Sequence, residues 1–192
     1  MGHTRQDEWD AHYADGKMFR PLGDTERTLL SAHVPAPAGG GRALDVGCGL
    51  GELAAHLASV GYTVDAVDWA GSALDRAGAD HPAGVRWLCL DVERDDLAVL
   101  GRDGYDLITL RLVYPFLRDR TRVMDDLGRR LREGGAIVVV TPLAATTPEE
   151  RRDIALDETE IDVLSAGWER AERLDAEGLA MLILRGPVQP AA

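Results

Sequence analysis

Residues 43–52, ALDVGCGLGE, limit what this chain can fold into more than any other stretch. They begin as a short apolar strand and break at Gly47, Gly49 and Gly51. They then pass at once into a helical pattern carried by Leu53, Ala54, Leu57, Ala58 and Val60. A strand, a glycine turn and a helix in this order open an α/β sheet, and ligands of such sheets bind at the carboxyl ends of the strands. Glycines tolerate positive φ and let a ligand lie almost on the main chain. The helix behind them offers free N–H groups and the positive end of its dipole. Glu52 narrows the choice of ligand. A dinucleotide turn reads G-x-G-x-x-G/A, and Glu52 occupies the place of the last small residue, where a carboxylate repels a pyrophosphate. No Gly-Lys-Ser/Thr follows, so the nucleotide P-loop is absent.

Asp45-x-Gly47-x-Gly49-x-Gly51 resembles the first motif of class I S-adenosylmethionine-dependent methyltransferases. That donor carries a sulfonium and an amino-acid group but no phosphate, so an acidic rim suits it. The bland alternative is a turn that only packs a helix on a sheet, and the downstream spacing argues against it. A second strand, residues 63–67, ends in Asp68-Trp69, and Asp68 lies 17 residues after Gly51. A carboxylate there can accept both hydrogen bonds of a ribose diol, in a nicotinamide fold as well as in a methyltransferase. Trp69 is placed to lie against adenine or, alternatively, to pack at a helix entry. A third strand, residues 85–90, ends in Asp91-Val92. The resemblance assigns Asp91 to the adenine amine and the Val92 N–H to a ring nitrogen, and helix N-capping is the alternative for Asp91. The donor set that the resemblance implies is Asp45, Gly47, Gly49, Gly51, Asp68, Trp69, Asp91, Val92 and Leu110.

The rest of the chain fits one domain. It has 192 residues, enough for a full core. A formal charge of −12 opposes nucleic-acid backbones and anionic membranes. Two cysteines, Cys48 and Cys89, suit a reducing compartment, and no apolar run has transmembrane or signal-peptide character. A cytoplasmic protein is expected. No His or Cys pair has zinc-ligand spacing, and no metal is assigned. Residues 1–41 read as lid helices and a Pro/Gly linker, 42–185 as the donor-binding core, and 186–192 as a mobile tail. The helix at 25–33 is expected to carry Thr28, Leu29, Leu30 and Ala32 on or near its buried side. A fourth strand, 105–110, is apolar on both faces. An amphipathic helix is expected over 119–132, with Val123, Leu127 and Leu131 at i, i+4 and i+8 and Gly134-Gly135 as its stop. A fifth strand follows at 136–141. Residues 168–175 and 179–185 read as a hairpin around Ala176-Glu177-Gly178.

These elements make the fold an α/β single doubly wound domain: a seven-stranded, mostly parallel sheet with a C-terminal antiparallel hairpin. The resemblance implies methyl transfer from S-adenosylmethionine to a small-molecule nucleophile, with no nucleic-acid or membrane partner. The loop 111–117 should border the transferred methyl, and it lacks the Asn/Asp-Pro-Pro-Tyr/Phe signature of enzymes that methylate base amines. No single catalytic residue can be read out: His12, Tyr13, Arg111 and Tyr114 are the catalytic candidates, His12 as a base at neutral pH and Arg111 and Tyr114 as contacts for an anionic or phenolic substrate. The alternatives are a surface role for His12, lid packing for Trp9, Tyr13, Phe19 and Tyr114, and a carboxylate partner for Arg111. Two other readings stand beside this one. They are a nicotinamide-dependent oxidoreductase, opposed by Glu52 and the final hairpin, and a non-catalytic S-adenosylmethionine-binding partner protein.

Overall fold

The strand at Tyr105–Arg111 lies at the middle of the molecule because its apolar side chains serve two cores at once. In this computed structural model, residues 10, 11, 13, 20–81, 83–101 and 103–188 are described. The strands are β1 Gly41–Val46, β2 Tyr62–Asp68, β3 Val85–Cys89, β4 Tyr105–Arg111, β5 Leu131–Pro142, β6 Trp168–Asp175 and β7 Leu179–Pro187. The helices described in full are α1 Asp24–His33, α2 Glu52–Ser59, α3 Gly71–Asp80, α4 Arg120–Gly128 and α5 Glu158–Ala166. The sheet order is β3-β2-β1-β4-β5-β7-β6. β1 pairs in parallel with β2 and β4, β2 with β3, and β4 with β5. Only β7 runs against the others, between β5 and β6. The strand order reverses direction at β1 and β4, so the carboxyl ends of β1, β2 and β4 diverge around a crevice.

Alternate residues of the central strands feed opposite faces. Leu44, Ile108, Leu110, Ile137 and Val139 pack with Val123, Leu127, Ile161 and Leu164 of α4 and α5. Ala43, Leu107, Val138 and Val140 pack with Leu30, Leu53 and Leu57 of α1 and α2. Caps set where two of the helices start. The Asp119 carboxylate accepts from the Arg122 N–H at 3.1 Å. Asp157 and Glu160 form a reciprocal capping box at 2.8 and 3.0 Å. At the edge of the sheet Glu177 and Gly178 both have positive φ, +57° and +80°, and close the β6–β7 hairpin between Ala176 and Leu179, whose N–H groups donate to each other's carbonyls at 2.8 and 3.3 Å.

Several expectations are corrected. The helix predicted over 119–132 stops at Gly128, and Leu131 begins β5 opposite Tyr105. A Cβ on Gly135 would come within 3.0–3.2 Å of the carbonyls of Arg132, Tyr105 and Asp106. Gly135 therefore permits a close approach of β5 to β4, Gly134 beside it has φ of +76°, and the pair lies within β5 and is not a helix stop. On α1 the buried residues are Glu26 and Leu30, whereas Thr28 and Ala32 are exposed. Cys89 is exposed at the end of β3, and β7 runs through Pro187 into the segment read as a tail.

A polar network lies in the sheet that the sequence reading did not anticipate. The buried Asp65 of β2 takes a fork from Arg86 at 2.7 and 2.9 Å, the Tyr105 hydroxyl at 2.6 Å and Arg42 at 3.2 Å. Burial pushes its carboxyl up, but the hydrogen bonds from Arg86 and Tyr105 outweigh it and hold the group below the usual range. This network is remote from the glycine turn and fastens β1, β2, β3 and β4 to one another.

Candidate functional site

The glycine turn is anchored to β2 by its own backbone. The N–H groups of Gly47 and Cys48 both donate to the Val67 carbonyl, at 2.8 and 3.0 Å, and Gly51 closes the turn onto the Cys48 carbonyl at 2.9 Å. Gly47, Gly49 and Gly51 have φ of +65°, +51° and +82°. Their surroundings differ. A Cβ on Gly47 would lie 2.4 Å from Val113 Cγ2, and one on Gly51 2.4 Å from Trp87 Cη2 and 3.1 Å from Ala77 Cβ. One on Gly49 would meet the Tyr13 hydroxyl at 2.8 Å. Gly51 thus lets α2 pack against β3 and α3, while Gly49 faces the cleft. A Gly51→Ala variant should lose about 2–4 kcal/mol of folding free energy through left-handed strain and overpacking. Gly49→Ala should unfold closer to wild type in urea, since the atom it meets is the end of a side chain. Equal losses in the two variants would contradict this division.

The cleft over the turn holds about 1150 Å³ of space, part of it open to solvent. Asp45, the three glycines, Asp68, Trp69, Asp91 and Val92 all line it. The Asp68 carboxylate, 7% exposed, accepts from the Gly49 N–H through Oδ2 and the Ala70 N–H through Oδ1, both at 2.9 Å. Burial raises its pKa, and these backbone donors limit the rise. Each oxygen keeps a further lone pair for a ligand. Asp45 is buried as deeply, and Thr109 Oγ1 donates to its Oδ1 at 2.7 Å. Its Oδ2 is buried without a hydrogen-bond partner. Burial pushes the Asp45 pKa up to about 7, with Thr109, Arg111 and the Ala54 backbone N–H, which lies outside hydrogen-bond geometry of Oδ2, opposing the rise and Asp68 adding to it. Asp91 Oδ1 accepts from the Glu93 N–H at 2.9 Å, and Arg94 lies 3.6 Å from Oδ2. Asp91 thus organises a turn and caps no helix.

Leu110 departs from its expected place. It is fully buried on the α4–α5 side of the sheet, and Arg111, Leu112 and Val113 reach the cleft instead. Leu112 holds φ of +60°, a costly conformation for leucine, at the rim of the cleft.

The acceptor candidates divide. Arg111 borders the cleft, but its fork holds the buried Glu26 at 2.6 and 2.8 Å and its remaining donors reach the Arg20 and Pro21 carbonyls at 2.9 Å. It is a clamp between β4 and the segment leading into α1. Tyr114 is buried, with the Arg120 guanidinium 5.1 Å from its ring centre, and it does not line the cleft. Tyr13 does line it. Burial, Asp68 and Cys48 all raise its pKa, so its hydroxyl stays neutral. The Tyr13 backbone carbonyl accepts from Arg76 at 3.1 Å, and Asp10 takes both the Ser72 N–H and hydroxyl, which pins this segment to the start of α3. His12, Trp9 and Phe19 lie outside the described residues.

Arg20, Glu52, Glu93 and Phe116 are among the lining residues that the expected set lacked. Glu52 Oε2 accepts from the Leu22 N–H at 2.8 Å, and Glu93 Oε1 from the N–H groups of Arg118 and Asp119 at 2.8 and 2.9 Å. Both acids hold loops that form the walls. Phe116 belongs to the 111–117 loop already singled out, whereas nothing local in the sequence marks Glu93.

Comparison with known proteins agrees with this geometry. A family profile described as a methyltransferase domain matches residues 12–177. An uncharacterized methyltransferase of Mycobacterium bovis is 37% identical over 114 residues, 59% of this chain and 55% of that protein. The ubiquinone biosynthesis O-methyltransferase of Xanthomonas oryzae pv. oryzae is 30% identical over 138 residues, 69% of this chain and 55% of that protein. The chain spans about half the length, or less, of the curated relatives it matches. Among solved structures, the N-methyltransferase NodS of Bradyrhizobium japonicum bound to S-adenosylhomocysteine superposes with a TM-score of 0.74. It is 22% identical, and the match covers 97% of this chain and all of that one.

Proposed function

This chain belongs to the methyltransferase domain family, and we propose that it transfers the methyl group of S-adenosylmethionine to a small-molecule nucleophile in the cytoplasm. The observation that carries the reading is the union in one cleft of the positive-φ glycine turn, the Asp68 carboxylate bonded to Gly49, and the unpartnered Oδ2 of Asp45. The free lone pairs of Asp68 suit a ribose diol. Trp69 suits the adenine face, with Asp91 and the Val92 N–H at its edge. Asp45 faces the other end of the donor, where a cationic amino group supplies the missing partner. The residues from β1 to β7 form the donor-binding core, and the segment before Gly41 forms the lid.

The acceptor space lies between Tyr13 and the 111–117 loop, walled by Val113, Phe116 and Leu117. Transfer is an in-line displacement. The acceptor's lone pair attacks the methyl carbon, the carbon–sulfur bond breaks, the sulfonium becomes a thioether, and the acceptor's proton leaves to solvent or to a nearby base. The carbon is already activated, so the protein supplies position and a dry site, and positioning alone can supply up to about 7–11 kcal/mol. This accounts for a cleft in which no nucleophile–base pair stands out. The curated and structural relatives include O- and N-methyltransferases, and the class of acceptor atom is the variable feature among them. The nicotinamide alternative is not favoured, because Glu52 lines the cleft where a pyrophosphate would lie and the sheet closes with the antiparallel β7.

Calorimetric titration tests the reading. S-adenosylhomocysteine should bind in the micromolar range and NADH should not. Binding of NADH alone would overturn the reading. Asp68→Ala should weaken S-adenosylhomocysteine by about 1–3 kcal/mol through loss of charge-assisted bonds and of the turn's anchor. An unchanged affinity in that variant would remove Asp68 from the ribose site.

A further inference from the structure

β6 is the last strand of the sheet and pairs on one side only, with β7. Glu169, Arg170, Ala171, Glu172 and Arg173 are exposed in unbroken succession, so both faces of the strand and its outer edge are open among the described residues. Its register with β7 is continuous from Arg170 to Asp175, and the strand contains neither proline nor glycine. Solitary edges are generally blunted by proline, a bulge or charged side chains, lysine above all; β6 has no proline, bulge or lysine, and its charges are of both signs. Its charges instead alternate in sign about a centre.

We propose that the outer edge of β6 docks a second copy of this chain, the two β6 strands pairing antiparallel about Ala171 so that the two sheets join into one. In that register Glu169 faces Arg173 of the second copy and Arg170 faces Glu172 of the second copy. The twofold axis repeats both contacts, as an isologous interface requires. Directly opposite residues of antiparallel strands have their side chains in contact, so each of these is an ion pair. Neighbouring registers are rejected. A slip of two residues one way sets Arg170 against Arg170. A slip the other way sets Glu172 against Glu172 and Glu169 against Asp175. A slip of one turns the backbone donors of one strand away from the other. The intrachain contacts of this edge are exposed ones, Arg173 with Glu158 and Glu172 with His33 at 3.2 Å, and Arg170 has no ion-pair partner among the described residues. β6 lies beyond β5 and β7 from the cleft at β1, β2 and β4, so each copy keeps an open cleft.

Sedimentation velocity on the full chain over a range of concentrations tests this. The wild type should form a dimer that weakens with added salt. Arg170→Glu makes two of the four contacts repulsive and should raise the dimer dissociation constant about tenfold or more. Combining it with Glu172→Arg restores opposite charges and should bring the dimer back. Both positions are exposed, and circular dichroism verifies that each variant is folded. A wild type that stays monomeric at the highest soluble concentration overturns the proposal. So does a dimer that Arg170→Glu leaves unchanged, or one that the exchanged pair does not restore.

Discussion

An Arg111→Leu variant should be about 3–5 kcal/mol less stable than the wild type. Arg111 is the partner of the most deeply buried glutamate described, Glu26, which is 2% exposed. The fork between them is bidentate, at 2.6 and 2.8 Å, and the same guanidinium accounts for the hydrogen bonds of the Arg20 and Pro21 carbonyls. Leucine removes all four bonds and leaves a buried carboxylate whose remaining described donor is the Gly23 N–H, 3.3 Å from Oε1. Such a loss is a large part of a total folding free energy of about 5–15 kcal/mol. In thermal unfolding it corresponds to a fall of roughly 6–20 °C for a chain of this size. The control is Glu26→Leu combined with Arg111→Leu, which removes the stranded charge and should regain most of the loss. Arg111→Lys should fall between, because an ammonium cannot reproduce the fork. If the double variant is as unstable as the single one, the cost comes from lost packing and the ion pair is not the clamp. Donor affinity should also drop in the single variant, since Arg111 holds the entry segment against the cleft and its charge opposes the rise in the Asp45 pKa.

Arg111 also shows where the sequence was readable and where it was not. The glycine turn, the carboxylate ending β2 and the closing hairpin were legible because each is a local device: φ > 0, a strand end, a tight turn. The seven-stranded, mostly parallel sheet with its closing antiparallel hairpin then followed from the resemblance those devices support. Arg111 was legible as a residue of the right loop, but its partner lies 85 residues away in sequence. A chain with 33 acidic residues offers no local rule for choosing Glu26. Leu110 failed for a different reason. β4 is apolar on both faces, so it has no alternation from which to read which residue turns to the cleft. In the structure the parity is set by packing, with Leu110 against α4 and α5 and Arg111 toward α1. The end of α4 failed because Leu131 continues the helical spacing of Val123 and Leu127, while the pairing of Leu131 with Tyr105 decides in favour of the strand. The Asp65 network was invisible because its members come from β1, β2, β3 and β4 and meet only once the sheet has formed.

Asp45→Asn should stabilise the unliganded protein above neutral pH and impair donor binding. The Asp45 carboxyl is raised from 3.8 to about 7 by burial, which means that the fold disfavours its charge. Its favourable contribution is therefore complete below the unfolded pKa and is lost as pH rises through the folded one. Wild-type stability should decline across that window, with a shift of this size corresponding to at most about 4 kcal/mol. Asparagine cannot ionise, keeps an oxygen for the Thr109 hydroxyl, and leaves an amide in place of the unpartnered Oδ2. Relative to wild type, the variant should therefore gain about 2–4 kcal/mol between pH of about 5 and about 8. A difference that does not change with pH would show that Asp45 does not titrate there. The same charge that weakens the empty fold is what a cationic donor would find. Wild-type affinity for S-adenosylhomocysteine should rise with pH through about 7, with release of a proton on binding, and this dependence should vanish in the asparagine variant. With that result, the buried oxygen without a partner would be a cost of the empty state that the ligand removes, and a result without it would make Asp45 a purely structural carboxyl.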